Sequence, residues 1–174
     1  MASVSYFAYG SNMLTERLQA RCKSAKARCL GLADGHKLAF NKKSQDGSGK
    51  ATIPPDEASR VYGIVFDINE TELPALDKAE GAGIGYDRID DFQVHIVGRR
   101  EPLSVVTYIA NVASIDPDLK PYDWYLKLIV AGARQHKLPP QYIEAIKTTL
   151  SIPDPKPNRK SRLEALTLLG EVSE

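Results

Sequence analysis

The chain has 174 residues, 43% of them hydrophobic, with 23 basic and 22 acidic side chains and a net charge of +1. That length suffices for one core without disulfide staples, and so even a charge balance carries no long-range field toward nucleic acid or an anionic membrane, leaving a small molecule as the better-fitting partner. No run of about 18 apolar residues offers a membrane span and the opening MASVSYFAYG has no basic stretch before a long apolar one, so a soluble, cytoplasmic protein is expected.

The first strand is VSYFAY, rich in aromatic residues of high strand propensity, and it stops abruptly on Gly10, Ser11 and Asn12. Glycine can take φ > 0 while Ser and Asn bond readily to nearby backbone, so this junction reads either as a turn or as a cradle for a small anion. LTERLQARC follows as a short helix with Leu14 and Leu18 at i, i+4 spacing. Cys22 and Cys29 are expected to remain free thiols.

HKLAFNK from His36 reads as a strand, SQDGSGK as a polar loop, and RVYGIVFDI, Arg60 to Ile68, as a buried strand. Asn69 stands three residues before Glu72, the spacing of an N-cap with a reciprocal acid, so NETELPALDKAEG is expected to be a helix closed by Gly81. YDRIDDFQVHIVG and LSVVTYIA are strands joined by the charged turn RREP, and a connection that short implies antiparallel pairing. Two helices, PYDWYLKLIVAGARQHKL and PPQYIEAIKTTL, close the core. The organisation expected is one domain over 1–150 and a Pro-rich, basic tail over 151–174, in which LEALTLLGEV forms a short amphipathic helix and NRKSR a solvated link.

The chain has no Walker loop, GxGxxG, CxxC or GxSxG, and His36, His95 and His136 are far apart without metal-ligand spacing, so neither metal nor cofactor is expected. What remains is the glycine-bearing loop after the first strand and Glu80 in LDKAEGAGIGY. A carboxylate at a helix C-terminus faces the negative end of the macrodipole, where a basic residue is favoured. Glu80 therefore reads as either an exposed polar residue or a general base.

YFAYGSNM, VYGIVFDI followed by LDKAEG and a Tyr, TYIA, and YLKLIVAGARQHKLPPQYIEAI resemble, in that order and spacing, the γ-glutamylcyclotransferase family, over Tyr6 to Leu150. The resemblance implies an α+β fold, a small mixed β-barrel with flanking helices, and an enzyme that converts γ-glutamyl amino acids to 5-oxoproline and the free amino acid. It implies Tyr6, Phe7, Ala8, Tyr9, Gly10, Ser11 and Asn12 as the substrate-binding loop, Glu80 as general acid/base and Tyr125 as a pocket hydroxyl. GAGIGYDR after Glu80 departs from the family pattern, which bears on substrate preference. By helical spacing Tyr125 is equally a core residue, and Trp124 and Tyr122 are candidates for the same wall.

The reaction is intramolecular, so no enzymic nucleophile is required; the protein must fold the glutamyl chain, move a proton and donate to the oxyanion. The leaving half is expected to meet Gly81, Gly83, Gly85 and aromatic residues, with no free Arg or Lys in that wall and so a preference for small or neutral leaving amino acids. A branch acting on γ-glutamyl amines and a ligand-binding module without catalysis are the rival readings, and a homodimer is compatible with either.

Overall fold

The apolar run Ser3–Ala8 forms strand β1 at the centre of a five-stranded sheet ordered β2-β5-β1-β7-β6, in a computed structural model that describes residues 1–171. The end of the expected tail, residues 172–174, lies outside the described residues. The sheet strands are β2 (Lys26–His36), β5 (Pro55–Asn69), β6 (Tyr86–Val94) and β7 (Leu103–Ala110), and β3 (Ala39–Lys43) pairs with β4 (Gly49–Thr52) in a separate hairpin. β1 runs antiparallel to β5 from Ser3–Asn69 to Ala8–Ile64 and is parallel to β7 at Tyr6–Val106. Central placement with neighbours on both sides explains why the strand reads as nearly continuous apolar sequence rather than alternation.

The expected barrel does not close. Among the described residues the sheet's two outer edges share backbone hydrogen bonds only between Leu32 of β2 and His95, just past β6, and no ladder extends from that bridge; the His36 and Phe92 rings meet beside it. A register shift between Ile89 and Phe92 bends β6 at this end, and the chain leaves the strand at Val94 before pairing can spread.

Among the described residues five helices flank the sheet: α1 (Thr15–Gln19), α2 (Leu73–Glu80), α3 (Asp123–Gln135), α4 (Pro140–Lys147) and α5 (Lys160–Leu168). α3 supplies the main apolar face, with Leu128, Ile129 and Ala133 fully buried. Burial of the Leu128 and Ile129 side chains contributes about 1.5–3 kcal/mol of hydrophobic stabilisation each. α2 ends as its sequence demands, with Gly81 in the left-handed region at φ 68° and its N–H returned to the Lys78 carbonyl. Its start differs from expectation. The Asn69 side chain accepts from Thr71 N–H, but Glu72 turns to the Ser24 N–H and hydroxyl, and Ser24 Oγ takes the Asn69 N–H, so the reciprocal cap is replaced by a tie between distant segments.

Beyond α4 the chain stays against the body of the molecule. The fully buried Asp154 carboxylate accepts from Trp124 Nε1 at 3.0 Å and from Arg159 Nε at 2.7 Å, and Ala165 of α5 is buried. Cys22 and Cys29 are free, and burial raises both thiols above their ordinary range.

Candidate active site

β1 delivers its C-terminal end to a small cavity of about 40 Å³. After Tyr9 the backbone leaves the sheet, and Ser11–Met13 forms a single 3-10 turn that lies on α3. Contact is possible because Gly132 of α3 has no side chain: a Cβ there would fall 2.5 Å from the Leu14 nitrogen. Gly10 does not use the positive φ its identity offers, for its φ is −110°. Its contribution is the missing Cβ, which would press on Ala51 at 3.3 Å and enter the space beside the Tyr125 hydroxyl at 3.6 Å. The N–H groups of Gly10, Ser11 and Asn12 give no hydrogen bond to other backbone through a turn, loop or cap, as befits groups that open a helical turn.

Glu80 arrives from the opposite direction, on the last turn of α2, with its side chain 16% exposed. Its Oε1 accepts from Asn12 Nδ2 at 2.8 Å and from Arg21 Nη1 at 2.6 Å. Arg21 Nη1 also donates to Asn12 Oδ1 at 2.9 Å. Arginine can only donate, so this contact fixes the orientation of the Asn12 amide, and both Nδ2 protons are committed: one to Glu80 and one to the Tyr6 hydroxyl at 3.0 Å. Glu80 Oε2 has no hydrogen-bond partner among the described residues. One carboxylate oxygen is therefore anchored and the other is left for a ligand.

Five tyrosines line the same cavity: Tyr6, Tyr9, Tyr86, Tyr108 and Tyr125. Three spend their protons on the protein. Tyr9 donates to the Tyr108 carbonyl, Tyr86 to the Ala51 carbonyl at 2.6 Å, and Tyr108 to Asp77 at 2.7 Å. Tyr6 and Tyr125 accept instead, from Asn12 and from the Ala51 N–H at 3.1 Å, and their hydroxyl protons have no acceptor among the described residues. Burial pushes Tyr125 up to about 12, with the Glu80 charge adding to it, and raises Tyr6 further still for the same two reasons. Both are neutral phenols at physiological pH, able to donate.

Of the residues expected from sequence to form the site, Tyr6, Tyr9, Gly10, Ser11, Asn12, Glu80 and Tyr125 come together around this one cavity. Phe7 and Ala8 do not line it. Alternation along β1 turns Phe7 to the other side, where it stacks on Phe92 with ring centroids 6.3 Å apart, and Ala8 is buried in the core. Tyr122 and Trp124 are also elsewhere, bonded to the Asp46 carbonyl and to Asp154. Gly81 and Gly85 border an outer groove beside Glu80, and Gly83 is not part of it. Among the described residues no group of three His, Cys, Asp or Glu side chains is placed to hold a metal ion.

Residues 60–146 match the model of the AIG2-like family. The chain is 34% identical over 150 residues to a human protein named gamma-glutamylcyclotransferase, covering 83% of this chain and 78% of that one, and 33% identical over 147 residues to the mouse protein of the same name, covering 82% and 76%. The chain belongs to the γ-glutamylcyclotransferase family. A solved structure named gamma-glutamyl cyclotransferase superimposes with a TM-score of 0.85 at 29% identity, over 95% of this chain and 99% of the other. The fold and the enzyme class are thus those of a γ-glutamylcyclotransferase, and a small-molecule substrate is what such an enzyme takes.

Sequence reasoning did not find Arg21, Tyr86 or Tyr108. Tyr86 and Tyr108 sit within strand patterns, where a tyrosine is an ordinary half-buried residue. Arg21 left one clue: with Arg17 it makes a like-charged i, i+4 pair, an arrangement that weakens a helix and gains by having an anion nearby. Arg17 Nε donates to Ser11 Oγ at 3.0 Å, and burial beside Arg21 lowers its guanidinium to about 10.

Proposed function

We propose that the chain converts γ-glutamyl amino acids to 5-oxoproline and the free amino acid, with Glu80 moving the proton. The observation that carries this reading is the unpartnered Glu80 Oε2 in a cavity that also holds two unspent tyrosine protons and the loop donors of residues 10–12. The substrate's α-ammonium gives a proton to Glu80, and the freed amine attacks the γ-carbonyl carbon of its own glutamyl chain. The new C–N bond closes the ring and pushes charge onto the carbonyl oxygen. Collapse of that oxyanion breaks the old amide bond as the departing nitrogen takes the first proton back from Glu80, and the freed carboxylate then relays the second proton from the ring nitrogen to the released amine, leaving the neutral lactam of 5-oxoproline and the ammonium of the free amino acid.

Each step has a group suited to it. A carboxylate held at one oxygen by Asn12 and Arg21 keeps the other oxygen oriented through both transfers. We assign the Tyr6 and Tyr125 hydroxyls and the N–H groups of Gly10, Ser11 and Asn12 to the substrate carboxylate and the developing oxyanion, since preformed donors in a confined site stabilise charge without reorganising. The residues around the ring-closing atoms supply the bent conformation that makes attack intramolecular, an effect worth several kcal/mol. The catalytic unit is then residues 1–150, with 151–174 an appendage whose helix α5 packs on α3.

The test is incubation of the purified chain with a panel of γ-glutamyl dipeptides and direct assay of 5-oxoproline. Release from a dipeptide such as γ-glutamyl-alanine is expected. Tight binding without release would favour a ligand-binding module, and release confined to γ-glutamyl-ε-lysine would favour action on γ-glutamyl amines.

A further inference from the structure

We infer that the mouth of this cavity selects leaving halves that carry an extra carboxylate, so that γ-glutamyl-aspartate and γ-glutamyl-glutamate are processed in preference to the corresponding asparagine and glutamine dipeptides. The inference rests on the cyclotransferase reading and concerns which substrates that site takes.

A recess of about 150 Å³ opens from the catalytic cavity and shares Ser11, Glu80, Tyr86 and Tyr125 with it. Four cations converge there: Arg17, Arg21, Lys42 and Lys50. They arrive as two like-charged pairs, one on each wall. In the β3–β4 hairpin Lys42 is in register directly opposite Lys50, and like charges so placed destabilise a ladder. Arg17, on α1, and Arg21, two residues past its end, bring a second pair of like charges to the other wall. Contrary to the sequence expectation, the wall therefore does contain cations, because the hairpin folds over Tyr86 and Tyr125 and brings residues remote in sequence to the opening.

The countercharge is incomplete. Arg21 pairs with Glu80 at 2.6 Å and Lys50 with Asp46 at 3.0 Å, whereas neither Arg17 nor Lys42 forms an ion pair among the described residues. The Lys42 ammonium lies 4.6 Å from the centre of the Tyr86 ring and that of Lys50 lies 4.4 Å from Tyr125. Gly85 makes room for the first of these, since a Cβ would come within 2.6 Å of Lys42 Cε. Four cations against two carboxylates leave the recess at a net charge of about +2 at neutral pH. A γ-glutamyl dipeptide with a neutral leaving residue carries one ammonium and two carboxylates, about −1 overall, and an acidic leaving residue makes it about −2. The acidic dipeptide matches the recess. A leaving half with its own ammonium, as in a lysine isopeptide, is repelled by it.

The experiment measures kcat/KM for γ-glutamyl-aspartate against γ-glutamyl-asparagine, nearly isosteric and different by one charge, at low and at high salt. Focusing of charge at a cleft raises productive encounter by about 10-fold or more, so we expect at least that preference for the acidic dipeptide at low salt, narrowing at high salt. Lys42→Glu should move the ratio toward the amide; because both substrates are read on one preparation, a misfolded fraction cancels. A ratio near one in the unaltered chain, or an acid preference that Lys42→Glu leaves intact, overturns the inference while the cyclotransferase reading stands. No 5-oxoproline from either dipeptide overturns both.

Discussion

Asn12 Nδ2 donates to Glu80 Oε1 at 2.8 Å, joining two residues separated by 68 positions of sequence. The bond ties the end of β1 to the end of α2, so the binding loop and the acid are held in one geometry. Removing the amide with Asn12→Ala takes away a charge-assisted hydrogen bond, worth about 1.5–3 kcal/mol. If the full loss appears in the transition state, kcat/KM should fall on the order of 10-fold to 100-fold, with a smaller change in melting temperature. Unchanged kinetics would mean that Glu80 needs no help from the loop.

Tyr86 and Tyr125 hold the two backbone groups of one residue, the Ala51 carbonyl and N–H, but only Tyr125 keeps an unspent hydroxyl proton. Each Tyr→Phe change leaves a buried backbone group unpaired, at a cost of about 1–3 kcal/mol in stability. Tyr125→Phe should in addition lower kcat, whereas Tyr86→Phe should act mainly on stability. Parallel thermal melts and rate measurements separate the two, and equal kinetic effects would remove the distinction.

A Cβ at Gly132 would meet main-chain atoms of Met13 and Leu14, which cannot rotate away as a side chain can. Gly132→Ala should therefore push the loop off α3, costing about 1–3 kcal/mol as overpacking does. Activity should fall by more than the folded fraction does. A variant as stable and active as the parent would show that the loop does not depend on this contact.

His136 provides a pH-dependent contribution to stability. Burial against Phe66 lowers its imidazole below the ordinary histidine value, opposed by its tie to the Met13 backbone and by Glu16. A depressed value means that the unfolded chain binds the proton first, so stability is fully present above about pH 6.5 and is lost as pH falls through the lower folded value. The melting temperature of the parent should therefore drop more than that of His136→Gln between about pH 7.5 and pH 5. Equal drops would place the acid sensitivity elsewhere.

Local chemistry made much of this fold legible. LSVVTYIA is β7 over its whole length, Gly81 closes α2, and the strand VSYFAY lies one residue from β1. β2 was not anticipated. Its sequence KARCLGLADGH mixes charge and glycine without alternation, because the strand is exposed at its start, buried at three consecutive residues, Gly31, Leu32 and Ala33, and bulged against β5 at two points. Glu80 and the loop of residues 10–12 were legible because each breaks a local rule, an acid at a helix C-terminus and a strand that halts on small polar residues. Lys42 and Lys50 break theirs only once the hairpin register is known, and the Asp77 that anchors Tyr108 is an ordinary helix acid until the sheet brings the two together.

The most direct measurement is 5-oxoproline release from a γ-glutamyl dipeptide by the unaltered chain and by Glu80→Gln. The amide keeps an Oε1 able to accept from Asn12 and Arg21, so fold and ligand binding should persist while proton transfer is lost. We expect turnover by the parent and a decrease of about 100-fold or more in kcat for the variant, as befits a lone general acid/base. Turnover by Glu80→Gln within a few-fold of the parent would contradict the mechanism at its centre.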